Sequence, residues 1–297
     1  MKLVKQSFHI ENQQDFSLQG IYKFIEKCTR VSYHSLDKIT EDSYIPFVDN
    51  LIKNRHFRGL EFGTIHIKMY EKQFNIFRTI LVINGVWNDW WIKYKSVGEV
   101  VFITTNFRYY YCNLLSFDNA LKSHGIELNT LVDIKPNDYY PKRYTVFFDN
   151  IDRGIMDEFR THVGLSHLAE STRYCNYSKN KFGNELTFII PCWFDSSLID
   201  DTGHWDANTF YRMPTQSVEE DAFLGTLLSA EKSYFNLLEC GWKPQEARSI
   251  IPLSVKSTLV SCGFSDAWDN FIKQRSAKDA HPLAREIAVK LSKELKF

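Results

Sequence analysis

Apolar positions recur at helical spacing toward both ends of the chain and alternate with polar ones between them. Ile21, Phe24, Ile25, Cys28 and Val31 mark an N-terminal amphipathic helix. A second helix carries Ile45, Val48, Leu51 and Ile52, with Thr40 as its cap and Asn54 near its end. From Glu61 to Tyr70, Ile65, Ile67 and Met69 alternate with Thr64, His66 and Lys68, which predicts a half-buried strand. The runs Val100 to Thr104, Tyr144 to Phe148 and Leu186 to Ile190 also read as strands. A long helix follows, with Phe223, Leu224, Leu227, Leu228, Glu231, Phe235 and Leu238 on one face. Gly241 is placed to end it, and Pro244 opens the next, short helix. Trp268, Phe271, Ile272 and Arg275 predict another helix; Leu283, Ile287, Leu291 and Leu295, after Pro282, form the stripe of the last one. Helices, then strands, then helices is the order of an α/β (α+β) fold. Residues 195–220 are polar and turn-rich and read as a loop insertion near a site.

At 297 residues, 44% hydrophobic and 24% charged, the chain can bury a sizeable core. Aromatics reach 15%, enough to fill that core and still wall a heterocycle. Basic and acidic residues balance at 36 each, which argues against a nucleic-acid polymer as partner but not against a single nucleotide. The six cysteines are scattered without a C-x-x-C pair. No apolar run is long enough to span a bilayer, and Lys2 and Lys5 are followed by polar residues. The expectation is a cytoplasmic protein with reduced thiols and no membrane association.

Chemistry concentrates around Glu170-Ser171-Thr172-Arg173-Tyr174, where a hydroxyl and a guanidinium stand two residues apart among aromatics. Arg248, on the short helix opened by Pro244, supplies a second guanidinium. Each charge-assisted bond to a phosphate contributes about 1.5–3 kcal/mol, so this set suffices for micromolar binding of a nucleoside monophosphate. Spacing alone leaves open that Arg173 and Arg248 form surface ion pairs with Glu170 and Glu246. Cys192, followed by Trp193, reads as a packing residue at a strand end. Asp200, Asp201, His204 and Asp206 show no recognised ligand spacing, so a solvated loop and no metal are expected. Tyr109-Tyr110-Tyr111 after Arg108 reads as a packed strand rather than a base-stacking platform.

Ser166, Ser171, Arg173 and Tyr174 fit a pattern S-x-x-x-x-S-x-R-Y, and Gly241, Pro244, Ala247 and Arg248 fit G-x-x-P-x-x-A-R. Gln274-Arg275 and Asp279-Ala280-His281-Pro282 follow in order; upstream stand Glu26, Arg30, Tyr33, His56, Leu60-Glu61 and Thr104-Thr105-Asn106. Together, over nearly the whole chain, these resemble the flavin-dependent thymidylate synthase family (ThyX). The resemblance implies a mixed sheet flanked by helices in one large domain spanning 1–297. It implies reductive methylation of dUMP to dTMP with FAD, NADPH and 5,10-methylenetetrahydrofolate in a homotetramer with shared active sites. Arg275 is then catalytic, polarising the pyrimidine as an oxyanion hole does. Glu158, Glu170, Ser171, Arg173 and Arg248 join it around dUMP or another pyrimidine nucleoside monophosphate. His56, Arg58, His162, Ser166 and Asn270 fall to FAD or folate, although His56 also suits a helix end.

The chain departs from the family on the flavin side. Thr161-His162-Val163 replaces an Arg-His-Arg triplet that grips FAD, and Arg160 stands one residue too early. Losing those contacts weakens flavin binding by a few kcal/mol, at about 1.5–3 per charged contact. Arg58 replaces a small hydroxyl residue beside the flavin and could restore one guanidinium; Phe62 replaces a histidine, and Ala169 a polar residue. Two alternatives therefore stand beside methylation: a related one-carbon transfer such as hydroxymethylation, and a non-catalytic nucleotide-binding homologue that has lost flavin.

Overall fold

Strands β1 (Lys2–Val4) and β2 (Ser7–Ile10) precede α1 (Leu18–Arg30), where Ser17 caps the helix by accepting from the Gly20 amide at 3.1 Å. Its stripe of Ile21, Phe24, Ile25 and Cys28 is buried as the spacing predicts. α2 (Tyr44–Lys53) starts three residues later than a Thr40 cap would place it. The Ser43 hydroxyl takes the local donors instead, accepting from the Thr40 amide at 2.9 Å and donating to Glu26 at 2.9 Å. The helix ends on Arg55 in the left-handed region (φ 56°), with Arg55 N donating to Ile52 O at 3.0 Å and His56 N to Leu51 O at 2.8 Å. That paired closure fixes the His56 backbone and leaves its side chain exposed.

β3 (Thr64–Tyr70), α3 (Glu71–Ile83), β4 (Ile92–Val97) and β5 (Val100–Asn106) build an antiparallel sheet in the order β3-β5-β4. Residues 59–62 form a 3-10 turn before β3, so the strand is shorter than its alternation suggests. α3, which periodicity left unassigned, buries Phe74, Phe77 and Leu81 on this sheet. The tyrosine triplet lies on a helix, α4 (Phe107–Cys112), not a strand. Asn106 decides this by accepting from the Tyr109 amide at 2.9 Å, an N-cap that outweighs aromatic strand preference. α5 (Asp118–Lys122) follows.

The central sheet comprises β2, β6 (Arg143–Asp152), β9 (Lys256–Phe264) and β7 (Leu165–Ala169), antiparallel in the order β2-β6-β9-β7. α6 (Arg153–Phe159) crosses from the end of β6 back to the start of β7. β8 (Thr187–Ile189) pairs in parallel with β1, beside α7 (Val218–Glu239) and α8 (Pro244–Ala247). Gly241, at φ 90°, ends α7 as predicted. α9 (Ser265–Arg275) and α10 (Pro282–Leu295) pack with α6 on one sheet face, against Val146, Phe148 and Leu259. The opposite face, Phe147, Val260 and Cys262, is covered by Phe24 and Cys28 of α1 together with Phe62. This computed structural model describes residues 1–171, 176–178, 183–194 and 217–295. Most of the predicted 195–220 loop therefore lies outside the described residues. No described helix is long and apolar enough to cross a membrane.

Candidate active site

The crossover α6 delivers Glu158 to Arg275, the last residue of α9. Arg275 Nη1 donates to Glu158 Oε2 at 2.6 Å, and Nη2 to the Glu158 carbonyl at 2.9 Å and Thr161 Oγ1 at 3.4 Å. Nε donates to His162 Nε2 at 2.8 Å, which leaves the imidazole proton on Nδ1. Burial, reinforced by the adjacent guanidinium, pulls the His162 pKa down to about 4, so the ring is neutral near pH 7. Phe271 backs it edge-on at 4.8 Å. Behind it, His167 shares a 2.8 Å bond with Ser261 and is likewise lowered to about 4, mainly by burial. Three residues assigned from sequence, Glu158, His162 and Arg275, thus meet in one cluster. Thr161, in place of an arginine, braces it.

Glu170 and Ser171 sit past the other end of β7. Glu170 is buried; its Oε2 accepts from Thr258 Oγ1 at 3.1 Å and lies 3.5 Å from Lys256 Nζ. Its carbonyl accepts from Arg153 at 3.3 Å, and the Ser171 amide donates to the Ser32 carbonyl at 3.1 Å. Ser171 stands two residues past the end of β7. A cavity of about 390 Å³ adjoins, lined by His34, Asp149, Lys256 and Thr258. Arg248 opens a 3-10 turn directly after α8. Arg173 and Tyr174 lie outside the described residues, as do Asp200, Asp201, His204 and Asp206. Arg275 and Glu170 stand near opposite ends of α6, about 10 Å long at 1.5 Å per residue.

Beside the start of α9, Arg58 and Ser166 line a cavity of about 250 Å³ together with Glu61, Trp90, Trp91, Arg108 and Arg143. Arg108 and Arg143 were not singled out as ligand-binding by sequence. Arg108 was read only with the aromatic triplet behind it, and Arg143, next to Lys142, belongs to no motif. Asn270 is exposed and accepts from Gln274 at 3.0 Å. Arg160 pairs with exposed Asp157 at 3.2 Å, so it does not supply the missing triplet arginine to this cavity. Cys192 is exposed rather than packed at the end of β8, because the chain turns outward there and takes Trp193 with it. Among the described residues no group of three or more His, Cys, Asp or Glu is placed to hold a metal ion.

The family model described as thymidylate synthase complementing protein matches residues 142–296, more than half of the chain. No curated protein matches the sequence. Among solved structures, thymidylate synthase X from Helicobacter pylori with FAD and dUMP aligns at 18% identity and TM-score 0.36. That alignment covers 51% of this chain and 66% of the Helicobacter protein. The UMP/dUMP methylase PolB from Streptomyces cacaoi, bound with 5-Br dUMP, aligns at 14% identity and TM-score 0.39 over 99% of this chain and 91% of its own. The family match is carried by β6 through α10, the segment that builds the Glu158–His162–Arg275 cluster. The chain belongs to the thymidylate synthase complementing protein (Thy1, or ThyX) family.

Proposed function

We propose that the protein is a flavin-dependent enzyme that methylates C5 of a uracil nucleoside monophosphate, ordinarily dUMP to dTMP. Methylenetetrahydrofolate is the one-carbon donor and NADPH the source of electrons. The observation that carries this reading is the Arg275–Glu158 pair held beside a neutral His162. A guanidinium next to a carboxylate complements the uracil edge. The carboxylate accepts from N3–H while the guanidinium donates to a ring carbonyl oxygen. As the uracil ring takes up hydride, negative charge gathers on O4, and a fixed guanidinium stabilises it without reorganising. His162 and Thr161 hold the plane of that guanidinium. Reduced FAD, when bound, would supply hydride for the uracil ring.

The phosphate belongs, on this reading, to Ser171, Arg173 and Arg248, with Glu170 shaping the turn from within. Ser166, Arg58, His56, His162 and Asn270 serve the cofactors. The flavin-side cavity adjoins the Arg275 cluster through the neighbouring residues His162 and Val163. On this reading the protein works as a homotetramer in which copies complete one another's sites.

The test is the absorbance spectrum of the purified protein with added FAD, followed by turnover of Arg275→Ala. A flavin spectrum and a loss of about 10²–10³-fold in kcat uphold the proposal. A colourless protein that cannot be loaded with FAD yet is stabilised by dUMP would mark a nucleotide-binding module instead. Undiminished turnover in Arg275→Ala would remove the catalytic assignment.

A further inference from the structure

The cavity at the start of β7 has an unusual charge balance. Its charged lining residues are Arg58, Arg108, Arg143 and Glu61, three cations against one anion, a surplus of two positive charges. Each guanidinium has a different status. Arg143 is tied to protein, donating to Thr64 Oγ1 at 2.8 Å and to the Glu61 carbonyl at 2.8 Å. Arg108 pairs with the buried carboxylate of Glu61 and lies 5.7 Å over the Trp91 ring. The Arg58 side chain is exposed and its guanidinium makes no hydrogen bond or ion pair with any described residue, while its carbonyl accepts from the Glu61 amide at 3.2 Å. Like charges crowded into about 250 Å³ repel unless an anion fills the space between them. A surplus of two matches the two charges of a pyrophosphate diester.

Shape adds to charge. A second cavity of about 300 Å³, lined by Gly85, Asn88 and Asn113, shares Trp91 and Arg108 with the first. One guanidinium and one indole thus stand between two compartments. That geometry suits an elongated ligand with an anionic centre and a ring system to either side. Gly164 and Gly263 keep the floor low: a Cβ on Gly164 would meet the Trp90 ring at 2.8 Å, and one on Gly263 would meet the Gly164 carbonyl at 2.8 Å. Val163, where the family carries an arginine, lines the same cavity.

We propose that Arg58, Arg108 and Arg143 form the pyrophosphate subsite for this chain's dinucleotide cofactor, replacing the charge lost at Thr161 and Val163. Arg58 and Arg108 come from the N-terminal part of the chain, outside the 142–296 family match. The grip on the cofactor has moved from the segment before β7 to the lobe facing it. The identity of the dinucleotide as FAD rests on the function proposed above; the anion subsite itself does not.

Calorimetric titration of the full chain with FAD, riboflavin and ADP tests this, in the wild type, in Arg58→Ser and in Arg108→Lys, which keeps a cation for Glu61. The wild type should bind FAD at least about 100-fold more tightly than riboflavin, and its FAD affinity should fall with added salt. Arg58→Ser should weaken FAD and ADP about 10- to 100-fold and leave riboflavin unchanged, in line with loss of one charge-assisted contact. Because Arg58 is exposed, its melting temperature should match wild type. FAD binding that both variants leave within about twofold overturns the inference while the flavin reading stands. Absence of flavin binding with Arg58-dependent ADP binding overturns the flavin reading and upholds the subsite. Failure of the wild type to bind either FAD or ADP overturns the subsite.

Discussion

The side chains that matter most here are defined by their partners. Arg275 uses its Nε and both Nη atoms to meet Glu158, His162 and Thr161, so its position is set before any ligand arrives. Arg275, Glu158 and His162 were legible in the sequence only through the family pattern, since no local spacing announces that residues 158 and 275 touch. The bracing by Thr161 was not legible; by sequence that residue was simply a missing arginine. The Glu158 carboxylate also makes a claim about the base. Uracil offers N3–H to it, whereas cytosine presents a lone pair there. Glu158→Gln, whose amide can either donate or accept, should narrow the preference for dUMP over dCMP by about tenfold, as one charged hydrogen bond is exchanged for a neutral one. Thermal-shift titrations of both nucleotides measure this, and an unchanged ratio would detach Glu158 from base recognition.

At the scale of elements, the helices with one-sided apolar stripes were readable: α1, α7, α9 and α10 lie where periodicity puts them. The misses share physical causes. β7 and β9 carry buried polar residues, Ser166, His167, Ser257 and Ser261, which break apolar alternation; His167 and Ser261 bond to each other across the sheet, and Ser257 donates to Met156 Sδ. α3 begins at Tyr70-Glu71 without a Ser, Thr, Asp or Asn cap, and the tyrosine triplet was drawn into a helix by Asn106. The buried histidines give a testable consequence. His66, His162 and His167 are each lowered to about 4, chiefly by burial. Below the ordinary value of 6.5 the unfolded chain takes up protons that the native fold refuses, so stability falls as pH drops from about 6.5 toward 4. Each pH unit costs about 1.4 kcal/mol per histidine, or about 2 kcal/mol each by pH 5. Urea midpoints at pH 7 and pH 5 should differ accordingly; equal midpoints would mean these rings titrate normally.

The whole molecule distributes its candidate chemistry over three places: the Arg275 cluster, the arginine-lined cavity that adjoins it at Val163, and the Glu170–Ser171 turn. The turn stands about the length of α6 from the other two. If copies share sites, two inactive variants can repair each other. Arg275→Ala mixed with Ser171→Ala, after partial unfolding and reassembly, should regain part of the activity that neither has alone. A mixture as inactive as its components would place each site within a single chain. The central claim is that uracil-nucleotide methylation persists although the flavin triplet is altered. Mass spectrometry of dUMP incubated with the FAD-loaded protein, NADPH and methylenetetrahydrofolate tests it most directly. The account predicts dTMP, heavier than dUMP by one CH2. Recovery of unaltered dUMP, from protein shown to hold both FAD and nucleotide, would contradict it.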